Sequence, residues 1–118
     1  NRPEKTVIGY KLVRDLGDST GVQCYGTIFQ STTLPKNVEV SSEDKLLHTH
    51  KNQPYPLGFH IYKSLLDAQN YPTVGITGDL TIVEVRGRHL LAVGREIGCR
   101  DICYVTKYCK VLRPRKEV

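Results

Sequence analysis

The chain reads as a series of short, mostly extended segments. Over residues 6–14 (TVIGYKLVR), Val7, Gly9, Lys11 and Val13 alternate with Ile8, Tyr10 and Leu12, which predicts a strand with aromatic and aliphatic groups on one face. Residues 15–21 (DLGDSTG) are dense in turn formers and lead to a second predicted strand at 22–29, so the two form a hairpin with a long loop. Residues 31–45 are polar, with one β-like piece at Val38–Val40, and residues 46–58 carry two prolines. In GFHIYK, from Gly58, Phe59 and Ile61 take one face, His60 and Tyr62 the other. Ser64 followed by Asp67 resembles a capping box, so a short helix begins at Ser64 and Pro72 closes it.

The clearest strand pattern follows at 80–87 (LTIVEVRG), where Thr81, Val83 and Val85 make one face purely β-branched. Gly87 within Arg86-Gly87-Arg88 predicts a turn into a further strand at 89–94. Ile102, Val105 and Cys109 fall at helical spacing and predict a short helix over 100–107, before a last strand at 108–113. The predicted class is therefore α+β: a mainly antiparallel sheet, or pair of sheets, with one or two short helices.

At 118 residues the chain is expected to form a single domain, 1–118. No apolar run approaches the ~18 residues that a membrane-spanning helix needs. The opening Asn-Arg-Pro-Glu-Lys is polar and has no initiator Met, which reads as a processed or cut start.

Charge is unevenly placed. Residues 1–79 hold eight Lys/Arg and eight Asp/Glu, so the whole excess of +5 lies in residues 80–118. Its end reads as a basic tail over about 110–118, in which Lys110, Arg113, Arg115 and Lys116 suit phosphates or an acidic protein surface. The same residues would also make an ordinary solvated terminus, and no stripe of interleaved aromatic and basic residues singles out nucleic acid.

Four cysteines, Cys24, Cys99, Cys103 and Cys109, allow two disulfides, but the Cys99-x3-Cys103-x5-Cys109 spacing has no CxxC knuckle for zinc. Free, largely buried thiols are the favoured reading. His48-x-His50 would share a face of an extended segment without Asp or Cys partners nearby, and His89 falls at the predicted turn. No residue is assigned as catalytic or as a metal ligand. Phosphate-loop, dinucleotide-binding, HExxH and GxSxG patterns are missing, and no two carboxylates form a catalytic pair.

The stretch GFHIYKSLLDAQNY (58–71) resembles the central motif of the ADP-ribosyltransferase superfamily, particularly its poly-ADP-ribose polymerase branch. There a strand G-I-Y-F-A leads through a serine-containing helix to S-A-N-Y. Gly58 and Tyr71 keep that spacing, Asn70-Tyr71 repeat the closing pair, and His60 falls where the family has a nicotinamide-stacking tyrosine. GDLTIVEVRG resembles the family's next strand, so the likeness covers residues 58–88, a quarter of the chain. It implies an ADP-ribosyltransferase-like fold with NAD as ligand. The pocket would be lined by His60, Tyr62 and Tyr71, with Lys11 or Arg14 on the phosphates. The family's catalytic glutamate has no clear counterpart: Glu84 matches a non-catalytic position and Glu96 is a forced choice.

A second resemblance covers more of the chain. YKLVR, the 58–71 stretch, TIVEV, VGREIGCR and KVL occur in the order seen in small uncharacterised domains of large DNA viruses and phages, the kind found beside pentapeptide repeats. Gly98-Cys99-Arg100 and Lys110-Val111-Leu112 are the counterparts of their closing segment. This likeness implies a non-enzymatic viral module that binds protein, such as a minor component of a virus particle, located in the virion or the host-cell cytoplasm. Seven tyrosines and no tryptophan, with a basic last third, agree with a protein partner. The alternatives are the NAD-binding, ADP-ribosyltransferase-like protein and a basic nucleic-acid-binding module.

Overall fold

Val83 and Val85, both fully buried, lie in the first half of the longest strand, and the rest of the molecule is arranged around it. A computed structural model describes residues 5–18, 21–28, 32–42, 46–48, 54–56, 58–71, 73–95 and 99–115, with backbone alone at 46–48 and 54–56. In chain order the elements are β1 (Thr6–Gly17), β2 (Cys24–Gly26), β3 (Thr33–Pro35), β4 (Glu39–Ser41), β5 (Leu46–His48), β6 (Pro54–Pro56), β7 (Phe59–Tyr62), α1 (Leu65–Gln69), β8 (Leu80–Gly94) and β9 (Cys103–Arg115).

Every pairing between named strands is antiparallel, and four of them close a ring. β1 pairs with β8, β8 with β9, β9 with β7, and β7 returns to β1 through Tyr10 and Tyr62. β2 and β3 extend the sheet from the far end of β1, and Lys36, just past β3, bridges back to Val111 of β9. β4 lies beside β9, while β5 and β6 form a separate two-stranded sheet. The interior of the ring holds Val7, Val13, Tyr25, Leu34, Phe59, Ile61, Val83, Val85, Cys109 and Val111. Burying a branched aliphatic side chain of this kind stabilises by about 1.5–3 kcal/mol, so this cluster carries most of the fold.

The α+β expectation is overturned. Strand predominates, at 62% against 6% helix, and among the described residues no helix reaches seven residues, so the protein is β-rich. The expected helix at 100–107 is strand: Cys103 to Lys107 belong to β9, paired with β7 on one edge and β8 on the other. Cys103, Thr106 and Cys109 are buried three residues apart, which imitates a helical period. Opposite this stretch β8 carries His89 at φ 62 and shifts register between Leu90 and Ala92.

The turn at Arg86–Arg88 is absent too, and β8 runs through it. Gly87 serves a close approach instead, since a Cβ there would meet Ile61 Cδ1 at 2.6 Å and Thr106 Oγ1 at 2.8 Å. The hairpin of β1 and β2 is present, although β2 is only Cys24–Gly26. The helix after the corner is also present, with Ser64 at its N-cap.

The capping box does not form. Ser64 makes no side-chain cap bond. Asp67, 4% exposed, turns away from it and accepts the backbone N–H groups of Arg100 and Asp101, each at 2.9 Å. That carboxylate ties α1 to the segment entering β9. Above it, Tyr62, Ala68, Ile82 and Cys103 form a second cluster with Tyr10, Leu12, Leu65, Tyr71 and Cys99, which covers one end of the outer face of β1 and β8. Among the described residues no helix is long and apolar enough to cross a membrane.

Candidate anion-docking face

The five residues expected at a nucleotide pocket are only partly brought together. Tyr62 and Tyr71 do meet, with ring centroids 6.2 Å apart and planes tilted by 57°. Tyr62, however, is 4% exposed and belongs to the apolar cluster under α1. His60 is half-buried on β7, and its carbonyl accepts Lys11 Nζ at 3.0 Å. Lys11 shares the inner face of β1 with Val7 and Val13, the face opposite to that of Tyr10 and Leu12. Arg14 is occupied elsewhere: its Nε donates to the Thr77 carbonyl at 3.1 Å and its Nη1 to the carbonyls of Ile28 at 3.2 Å and Thr27 at 3.4 Å. It clamps the loops at the far end of β1. Glu96, Gly98, His50 and Lys116 lie outside the described residues, and His48 is described by its backbone in β5.

The basic residues of the last third are arranged quite differently from a tail. Lys110, Arg113 and Arg115 lie within β9, which runs to Arg115. Antiparallel register puts Arg113 opposite Glu84, Lys110 opposite Arg86, and Tyr108 opposite Arg88. On the outer edge of β9, β4 sets Glu39 opposite Lys110. On the other side of β8, Ile8 of β1 stands opposite Arg86 and is 53% exposed. Directly paired residues share a face, so one outer sheet face carries Ile8, Arg86, Lys110 and Glu39 in one row and Arg88 and Tyr108 in the next.

Glu39 and Arg88 are the most ordered pair on it. Arg88 Nε donates to Glu39 Oε1 at 2.9 Å and Arg88 Nη2 to Glu39 Oε2 at 3.2 Å, a two-point bond of the strong kind. The Arg88 guanidinium also stacks over the Tyr108 ring, 4.1 Å from its centroid. Lys107 Nζ lies 5.6 Å from the same ring, and His89 meets it edge-on at 6.3 Å. The hydrogen bond from Arg88 holds the Glu39 carboxyl below its ordinary value, with the charges of Arg88, Arg86 and Lys110 adding to it against partial desolvation. Three cations therefore act on one carboxylate. Farther along, Arg113 Nε sits 3.3 Å from Glu84 Oε1, so Glu84 is an ion-pair partner at the border between this face and the apolar cluster.

All four cysteines are free thiols, Cys103 and Cys109 buried, Cys24 and Cys99 half-buried. Burial raises the Cys109 thiol to about 11, with Lys11 opposing the shift and Glu39 adding to it. Only the thiolate attacks electrophiles. A maleimide pulse at neutral pH, read by mass spectrometry, is expected to label Cys24 and Cys99 and to spare Cys103 and Cys109 until denaturant is added. Among the described residues no group of three or more His, Cys, Asp or Glu could hold a metal ion.

Alternation alone could have found part of the face, because Glu84, Arg86 and Arg88 fall two apart on one strand. What joins them to Glu39 and Tyr108 is cross-strand register, which local spacing does not carry. No family model, curated protein or solved structure matches the chain.

Proposed function

We propose that this protein is a non-enzymatic binding module that docks an acidic protein surface through the outer face of β4, β9 and β8. The observation that carries this reading is the gathering of Arg86, Arg88 and Lys110 around a single carboxylate, on a face that also presents Ile8 and Tyr108. Arginine and tyrosine beside an exposed aliphatic group are the composition of protein-binding hot spots. The carboxylates of Glu39 and Glu84 interrupt the positive field, which disfavours a continuous phosphate chain more than a protein surface of mixed charge. With the sequence resemblance to small domains of large DNA viruses, the partner we favour is another protein of a virus particle.

The test is a titration of the protein with fluorescent poly-glutamate at two salt concentrations, beside single-stranded DNA of matched charge. Poly-glutamate is expected to bind at low salt and to weaken as ionic strength shortens the reach of surface charge. The double variant Arg86→Glu, Arg88→Glu is expected to abolish that binding. Failure of the parent to bind poly-glutamate, or clearly tighter binding to the DNA, would overturn the protein-docking reading.

A further inference from the structure

Like charges placed directly opposite on neighbouring strands weaken a sheet. Arg86 and Lys110 are such a pair, at the centre of the docking face. The field of Glu39 reaches both, but its two oxygens are bonded to Arg88. Neither Arg86 nor Lys110 donates a side-chain hydrogen bond among the described residues, and Arg86 Nε is buried without an acceptor. A buried donor left in that condition costs stability. The other cations nearby are engaged: Arg88 by Glu39 and Tyr108, Arg113 by Glu84.

We propose that Arg86 and Lys110 form a capture site for a carboxylate side chain of the docking partner, with Arg88 and Glu39 as its fixed wall. The site deepens the docking reading and rests on it. A carboxylate placed between the two strands would neutralise both cations and relieve the repulsion that the free protein carries. The neighbouring Arg88–Glu39 bond shows that this face can hold a carboxylate at hydrogen-bonding distance. Glu39 has a second role here, since its own charge opposes a second carboxylate beside it and so sets a threshold on how acidic the partner must be. A cation pair kept at a cost to the free fold is what a binding site leaves behind when function outweighs stability.

The experiment measures melting temperature and poly-glutamate affinity for three single variants beside the parent. Arg86→Thr removes the repulsion and the unpaired Nε while keeping a strand-forming residue. It is expected to melt a few degrees higher than the parent and to bind about tenfold more weakly. Lys110→Gln should lose about as much affinity, whereas Arg113→Gln, which removes the same charge from an engaged residue, should lose less than about threefold. Equal weakening by all three variants would overturn the site and leave a diffuse docking field. Parent-like affinity in Arg86→Thr, or a lower melting temperature, would also overturn it. A parent that fails to bind poly-glutamate would overturn the docking reading and the site together.

Discussion

Gly9→Val is expected to prevent the protein from folding, and Gly9→Ala to destabilise it by about 3 kcal/mol, at the upper end of what overpacking costs. Gly9 lies on the inner face of β1, between Val7 and Val13. A Cβ there would run into the carbonyl oxygen of Tyr62 and meet Ile61 Cγ2 at 2.6 Å. The first of these obstacles is backbone, so no change of rotamer relieves it. On the neighbouring strand Gly87 leaves room for Cδ1 of the same isoleucine. Ile61, fully buried, therefore fills a hole that two glycines keep open, and β7 can lie close enough to β1 to close the ring. Stabilities of small domains are only about 5–15 kcal/mol, so even the alanine variant should show a large drop in denaturation midpoint. Gly94→Ala is the control: nothing lies within 4 Å of a Cβ built there, and its midpoint should stay with the parent's. A Gly9→Val variant that melts with the parent would rule out this packing.

Asp67→Ala is expected to be the second most damaging change, at about 2–4 kcal/mol. Two backbone donors, those of Arg100 and Asp101, lose their acceptor at once. Each partly buried amide left without one costs about 1–3 kcal/mol, and bonds to an ionised carboxylate are the stronger kind. Asp67→Asn keeps one carbonyl oxygen but offers an NH2 group where the second amide needs an acceptor, so it should fall between the parent and the alanine variant. Chemical denaturation of the three proteins reads this order directly. An alanine variant as stable as the parent would show that the bridge between α1 and the start of β9 contributes nothing.

Both predictions depend on contacts that local pattern does not reveal. Asp67 three residues after Ser64 has the spacing of a capping box, and only the tertiary position of Arg100 and Asp101 decides that it binds elsewhere. Gly87 between two arginines has the composition of a turn, yet it is glycine because Ile61 and Thr106 press against it. The reach of β9 is hidden for a related reason: Ile102, Val105 and Cys109 fall at helical spacing, and only the pairing of this stretch with β7 and β8 makes it strand. What could be read were the segments with unbroken alternation. The hairpin of β1 and β2, the strand through Val83 and Val85, and the short helix that follows Ser64 can be read from side-chain period and turn chemistry, whereas Pro72 lies outside the described residues.

The candidate site divides along the same line. Lys110, Arg113 and Arg115 were identifiable as a concentration of charge, but not as members of a strand, because their pairing with Arg86 and Glu84 is set by the register of β8. Glu39, about seventy residues earlier in the chain, could be joined to them only by the sheet. Lys11 and Arg14, expected on the phosphates, donate to backbone carbonyls, contacts that only the tertiary fold supplies.

The most direct test of the docking face is a two-dimensional amide NMR titration of the isotopically labelled protein with unlabelled poly-glutamate at low salt. The expected result is a set of shifts concentrated at Glu39, at Arg86 and Arg88, and at Tyr108 and Lys110, reversed by added salt. Shifts gathered instead at His60, Tyr62 and Tyr71, or spread evenly over all the lysines and arginines, would contradict it.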